Sequence, residues 1–394
     1  MKNIYIVFLT LMTWSLVGCH KDFEEVSKID VVLQLEFPDN FIKGYQPENV
    51  SINVKNNITG QVINSTSDSN GQVLMSLLPG TYSITASRSY SAGEALPITG
   101  YEQESYVNAN ITPVVVTDSK TVNVKLSGSR SGGLVIREYY YSGVPVNYFY
   151  DLFIEIYNNS TEAIRVDSLY LGNTKSASAT AYGFIGATQD SVFLSHVWMV
   201  PYEGAARYLE PGESLVIAMD GINHKSDPLG NPNSPVNLGP GIADYETYWP
   251  YTNRDADEID VPNLVHVYAS GTAGFDWLPG VGGAGLVIFN TADIETLPVR
   301  REPGVSAATQ YKAIPVSDII DGLETVSSAS ITAASKRLPI AVDAGMITVG
   351  ANYSGKSVRR KVKTVINGKT IFVDTNNSSN DFEVNNTPSP RKWN

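Results

Sequence analysis

The chain has 394 residues, 42% of them hydrophobic, with a formal net charge of −12 and a pI near 4.9. That length is enough for two or three domains with ordinary cores. The acidic balance excludes nucleic acid as a partner, because phosphate binding needs concentrated Lys and Arg. Beyond the N-terminus, no segment has the roughly 18 or more apolar residues of a membrane-spanning helix.

Met1–Lys2 makes a positive start, and Ile4 to Val17 is almost wholly apolar. The run is shorter than the roughly 20 residues that cross a bilayer and has the length of a secretion-signal core. It ends in Leu16-Val17-Gly18-Cys19, and Cys19 is the chain's single cysteine. This ending resembles a bacterial lipobox. The resemblance implies a signal peptide over 1–18, cleavage before Cys19, and a lipid anchor at Cys19 that ties the protein to a membrane. His20-Lys21-Asp22-Phe23-Glu24-Glu25 follows. It resembles the surface-export signal of Bacteroidetes lipoproteins, which implies the outer membrane with the protein facing the cell exterior. The other reading is a solvated tether over 19–27.

From Ile29 to Phe37 apolar and polar residues alternate, and Val50 to Val54 repeats the pattern. Period two predicts half-buried strands. Asn57-Ile58-Thr59-Gly60 and Asp68-Ser69-Asn70-Gly71 predict turns, and further strands are expected through Val62–Ile63, Val73–Met75 and Tyr82–Ala86. The stretch NITGQVINSTSDSNGQVLMSLLPGTYSITAS is similar to the carboxypeptidase-regulatory-like, transthyretin-type β-sandwich. The match is carried by Gly71, Leu78, Pro79, Gly80 and Tyr82. It implies a spacer or docking module over 28–127, closed by strands from Val114 to Leu126. Residues 128–133 have linker composition.

Strands are expected next at Leu134–Tyr141, at Asp151 to Ser160 and at Ala163–Leu171. The pieces LVIREYYY, FIEIYNNSTEAIRVDSLYL, YLEPGESLVIA and GAGLVIFN, with an ending from KSVRRK through DTNNSSNDFEVNNTPSP, resemble the lamin-tail domain. The resemblance covers 134–394 and implies an immunoglobulin-like sandwich interrupted by insertions at about 173–206 and 222–282. Taken with 22 tyrosines and many short Val/Ile/Thr runs, the chain reads as all-β, with two Ig-like or transthyretin-like sandwiches in tandem. This arrangement behind a lipobox resembles an uncharacterised Bacteroidetes outer-membrane lipoprotein family.

Hydrolase signatures such as G-x-S-x-G and H-E-x-x-H are absent. His196, His224 and His266 are isolated in sequence; a haem or metal role requires two of them to converge, and an enzyme requires histidines or carboxylates from the long insertions to converge, as His224 meeting His196 or His266 would do. Glu155 in an apolar strand is either a catalytic acid or a framework residue, and the framework reading is preferred. The run Asp255-Ala256-Asp257-Glu258-Ile259-Asp260 offers oxygen ligands for Ca²⁺ but lacks EF-hand spacing; the competing reading is a solvated loop. Asp374 and Asp381 are a weaker cation candidate, and the lamin-tail resemblance implies a turn there.

Three aromatic stretches stand out: SHVWMVPYEG, YETYWPYTN and GFDWLPG. Their Trp198, Tyr202, Tyr248, Trp249, Tyr251 and Trp277 are candidate ligand-binding residues. Exposed rings flanked by polar groups suit a sugar or a protein partner; otherwise the tryptophans are plugs beneath long loops. Asp167-Ser168-Leu169 and Asp190-Ser191-Val192 resemble the O-glycosylation motif of Bacteroidetes surface proteins, which implies modification at Ser168 and Ser191. The reading that results is a non-catalytic surface lipoprotein without cofactor that binds a ligand or a partner protein. The lipoprotein resemblance implies an accessory role beside a TonB-dependent outer-membrane receptor, with a glycan, a siderophore or haem as ligand. A surface adhesin or structural glycan-binding lipoprotein is the alternative.

Overall fold

The computed structural model describes residues 26–38, 41–100, 105–130, 133–178, 180–184, 190–251, 255–271, 276–277, 279–332 and 335–392. Cys19, the lipobox and nearly all of the expected tether lie outside the described residues.

The N-terminal part is a two-sheet arrangement. Ile29–Glu36 lies between Gln72–Leu77, antiparallel, and Lys120–Lys125, parallel. The facing sheet runs Val62–Thr66, Ser51–Asn56, Gly80–Tyr90, Ser105–Val116 and Ser127–Arg130. Alternation fixes which side chains go inward: Val31, Leu33 and Leu35 meet Ile52, Val54, Ile84 and Val107 in one core. Full burial of each such aliphatic side chain contributes about 1.5–3 kcal/mol. Gly71 takes φ +71°, and a Cβ there would sit 2.9 Å from Pro47 Cδ, so the predicted turn needs glycine twice over. The Tyr82 hydroxyl donates to the Leu78 carbonyl at 2.8 Å, which closes the LLPG turn onto the next strand. Ser127–Arg130 departs from the linker expectation for 128–133. It pairs with Ser105–Asn108 as a fifth strand, because an open sheet edge offers partners to its backbone.

The C-terminal part packs a six-stranded sheet on a five-stranded one. The first runs Tyr245–Glu246, Ser214–Ala218, Phe153–Asn158, Leu134–Tyr140, Ser357–Arg360 and Phe382–Asn385. The second runs Val265–Ala269, His196–Met199, Tyr170–Ser176, Ala284–Phe289 and Ile319–Glu324. Ile136, Ile154, Ile156, Leu215 and Ile217 of the first meet Leu171, Trp198, Leu286, Ile288 and Leu323 of the second. A further three-stranded sheet of Ser191–Leu194, Gln310–Pro315 and Val299–Arg301 covers the outer face of the five-stranded sheet through Val192, Leu194 and Ile314. The stretches expected to be insertions are therefore structural. The 173–206 stretch supplies two strands, and the 222–282 stretch supplies an edge strand to each main sheet.

Two buried ionic networks brace this part. Glu155 faces Glu138 across neighbouring strands, and Arg137 Nη1 reaches both carboxylates, with Glu155 Oε2 at 3.0 Å. The Arg391 amide also donates to Glu155, at 3.1 Å, so the C-terminal segment covers this face. Glu155 is thus a wholly buried framework residue. Asp374 and Asp381, the weaker cation candidate, instead surround the buried guanidinium of Arg360.

Candidate functional site

The long 222–282 stretch gathers at one end of the six-stranded sheet. The Ser214–Ala218 strand runs out through Met219 to Asp220. Tyr245–Glu246 pairs parallel to Ile217–Ala218, which brings the Glu246 carboxylate beside the turn that follows. Glu246 accepts from the Gly221 amide at 2.6 Å and from the Glu258 amide at 2.7 Å, pinning two loops together. A side chain at 221 would press Val261 Cγ2 at 2.8 Å and Glu246 Oε2 at 3.0 Å, so glycine is required there. Asp255 accepts from the Trp249 amide at 2.6 Å, and Asp276 from the Trp277 amide at 2.5 Å.

These constraints bring Asp220, Asp255 and Asp276 together, one carboxylate oxygen from each lying within 4.8 Å of the others. It is the one such group of three or more His, Cys, Asp or Glu ligand atoms among the described residues. The three aspartates line a cavity of about 300 Å³ whose rim adds Asp227, Asp257 and Glu258. None of the described lining residues is basic. Burial, followed by mutual repulsion, pushes the Asp276 carboxyl up to about 10 and holds Asp220 well above the usual carboxylate range. Burial also raises Asp255 to about 6 and Glu246 to about 8. Of the acidic run singled out in the sequence, Asp255 joins this group, Asp257 and Glu258 stand at its rim, and Asp260 is exposed. Asp220 and Asp276 escaped sequence reading. Each is a single carboxylate against apolar neighbours, Ala218–Met219 on one side and Trp277 on the other, and that oddity was the available signal.

A second cluster adjoins the first through Trp249. Its ring lies 4.6 Å from His266, 5.4 Å from Tyr251 and 6.2 Å from His196, centroid to centroid. Trp198 packs on His266 at 4.9 Å. Within the described protein, His196 Nδ1, Trp198 Nε1, Trp249 Nε1 and His266 Nε2 are buried without a hydrogen-bond partner. His224 belongs elsewhere. Its Nε2 donates to the Asp220 carbonyl at 3.1 Å, and its Nδ1 accepts from the Tyr148 hydroxyl at 2.6 Å. The three histidines therefore divide two and one.

The aromatic candidates divide by burial. Trp198 and Trp277 are 0% exposed and Trp249 is 5%, so these rings sit inside as plugs and offer no open face. Trp277 Nε1 is satisfied by Asn173 Oδ1 at 2.8 Å. Tyr251 and Tyr202 are 67% and 58% exposed, and Tyr248 is half-buried. Of the two serines, Ser168 is exposed on a turn with φ +66°, and Ser191 is half-buried at the start of a strand.

His196 gives a pH prediction. Burial, then its neighbour His266, pushes the ring down to about 4. The unfolded ring titrates near 6.5. Between about 6.5 and 4 the unfolded chain takes up a proton that the folded chain refuses, so stability falls as pH falls through that window. One such histidine removes about 2 kcal/mol at pH 5. The drop in urea midpoint from pH 7 to pH 5 should be smaller in His196→Gln than in the parent. An identical drop in both would show that His196 protonates freely in the folded state.

In sequence, residues 210–389, less than half of the chain, match a family described as a protein of unknown function, DUF4876. The fold is similar to the crystal structure of a DUF4876 family protein from Bacteroides thetaiotaomicron, at 26% identity and a TM-score of 0.60, covering 92% of this chain and 97% of that one. A DUF3823 family protein from Parabacteroides merdae aligns over 50% of this chain and 83% of its own at 11% identity and a TM-score of 0.18, too low to carry an argument. No curated protein matches the chain.

Proposed function

We propose that this chain is a non-catalytic, lipid-anchored protein of the outer-membrane surface that holds a ligand or partner at the loops around Trp249, as an accessory to a TonB-dependent uptake system. The observation that carries the binding reading is the pair of partnerless ring nitrogens on half-buried His196 and His266, beside the exposed Tyr251 ring. Buried polar atoms in native proteins are normally paired. A hydroxyl-rich ligand such as a glycan supplies both donors and acceptors for them. No nucleophile–base pair accompanies these groups among the described residues, and His224 has both nitrogens engaged by Tyr148 and the Asp220 carbonyl.

In this reading the N-terminal part is a carboxypeptidase-regulatory-like, transthyretin-type stalk, and the closure of the LLPG turn by Tyr82 supports it. The C-terminal part is a lamin-tail-like sandwich that presents the loops. The likeness to a Bacteroides protein supports the Bacteroidetes setting.

The test is to tag the C-terminus, solubilise outer membranes gently and identify what copurifies. A stoichiometric β-barrel partner is the expected result. A protein that emerges alone from surface membranes would remove the transporter role and leave a surface adhesin as the better reading. The anchor has its own test. Cys19→Ala should abolish incorporation of a clickable palmitate analogue and leave the longer, unprocessed chain on a gel. Lipid labelling that survives the substitution would place the anchor elsewhere.

A further inference from the structure

We infer that Asp220, Asp255 and Asp276 form a binding site for a hard divalent cation, and that calcium is the ion it fits. The inference is independent of what the aromatic loops hold. Calcium takes oxygen ligands at about 2.3–2.6 Å, so two ligands of one ion stand no more than about 5 Å apart. One oxygen from each aspartate meets that limit, all three lying within 4.8 Å.

Crowded carboxylates alone would not make a site. The second observation is that the cluster is aimed inward and left unpaired. Asp276 is 1% exposed, its Oδ1 accepts from the Trp277 amide, and its Oδ2 has no partner although it is buried. Asp220 Oδ1 is buried without a partner as well. Burying carboxylate oxygens with neither a donor nor a counter-charge is strongly unfavourable unless they are protonated or coordinate a metal. Both partnerless oxygens belong to residues lining the same acidic cavity.

The donor chemistry narrows the ion. The cluster offers oxygen alone, without the imidazole or thiolate that zinc and copper favour. The ligands come from three separate segments and the cavity adds about 300 Å³, which leaves space for waters to complete a set of six to eight ligands. Magnesium demands a tighter, near-octahedral shell. A bound cation would cross-link the exit of the Ser214–Ala218 strand, the segment that begins at Asp255 and the segment at Trp277. Because Asp255 Oδ2 accepts from the Trp249 amide, the cation would also brace the base of the aromatic cluster.

The experiment uses the full mature chain, stripped with EDTA and titrated with calcium chloride by calorimetry. Thermal unfolding and tryptophan-excited terbium emission are followed in parallel. Expected are one saturable calcium site, a rise in Tm with calcium, and terbium emission that calcium displaces. Magnesium should bind at least about tenfold more weakly. Asp276→Asn and Asp220→Asn keep the shape and remove one charge each, so both should fold without metal at an unchanged or higher Tm. Both should lose calcium affinity by about tenfold or more. Absence of saturable calcium binding in the parent chain overturns the site. So does calcium affinity unchanged in whichever of the two variants gives a native circular-dichroism spectrum. A preference for magnesium overturns the assignment to calcium.

Discussion

Arg360→Met is expected to cost about 3–5 kcal/mol of stability at pH 7, a large part of what holds a typical domain folded. Arg360 ends the Ser357–Arg360 strand of the six-stranded sheet, and its guanidinium is buried. Nη2 donates to Asp321 Oδ2 at 2.5 Å, and Nη1 reaches Asp374 at 3.2 Å and Asp381 at 3.4 Å. Nε and Nη1 also donate to the carbonyls of Ile136 and Val373, each at 3.0 Å. Asp321 belongs to Ile319–Glu324 of the opposite sheet and accepts in turn from the Ile136 amide at 2.6 Å. One cation therefore joins both sheets to the C-terminal turn. Methionine keeps much of the volume and removes the charge, which strands the buried carboxylates. Burial already raises Asp321 to about 7 against the pull of Arg360, and without the arginine it should rise further. A carboxyl whose folded pKa lies above its unfolded value loses stability as pH rises through the folded pKa and regains it as pH falls. The deficit against the parent, read from urea midpoints, should be largest well above pH 7 and shrink as pH falls toward 7, where Asp321 of the parent begins to take up its proton as well. Adding Asp321→Asn should restore part of the loss, since it removes one uncompensated charge. A deficit below about 1 kcal/mol, or one that does not change with pH, would mean that water already reaches this network.

Legibility of the fold follows burial. In Ile29–Glu36 one face is core and the other is not, so the alternation of side chains shows directly in the sequence and predicts the strand closely. Leu134–Tyr140 and Phe153–Asn158 are buried along their whole length, because the C-terminal segment and neighbouring loops cover the outer face. There the period-two signal vanishes and charged residues sit among apolar ones. Glu155 was legible as framework only because a strand was already expected around it; its partner Arg137 follows from register, which sequence does not print. The stretches expected as insertions hide short strands such as His196–Met199 and Val265–Ala269, whose patterns are too brief to separate from loop. The acidic site was half visible. Asp255 lies in a conspicuous run, but Asp220 and Asp276 reach it only through chain reversals that no local pattern encodes.

Trp198→Ala is the other large effect, about 3–5 kcal/mol destabilising. It decides between the two readings of the aromatic stretches. Trp198 is fully buried on His196–Met199, paired across to Leu171 on one side and His266 on the other. Its ring fills the space between the two main sheets, in one core with Ile154, Leu215 and Leu286. Truncation leaves a cavity that strands anchored on both sides cannot close, so the lost contacts are not recovered. Trp198→Phe should cost less, because it keeps most of the ring and removes an indole N–H that has no partner in the protein. Tyr251→Ala, on an exposed ring, should change stability by no more than about 0.5 kcal/mol. Urea midpoints of the three variants at one pH give the comparison. If Trp198→Ala costs under about 1 kcal/mol, the indole is not a plug. The ring would then be free to turn outward, and the platform reading of Trp198 would return. If the expected order holds, loss of ligand binding in Trp198→Ala says nothing about contact, because the fold itself has been loosened. Tyr251 then becomes the position at which binding and stability can be separated: its loss should weaken binding while the urea midpoint stays where it was.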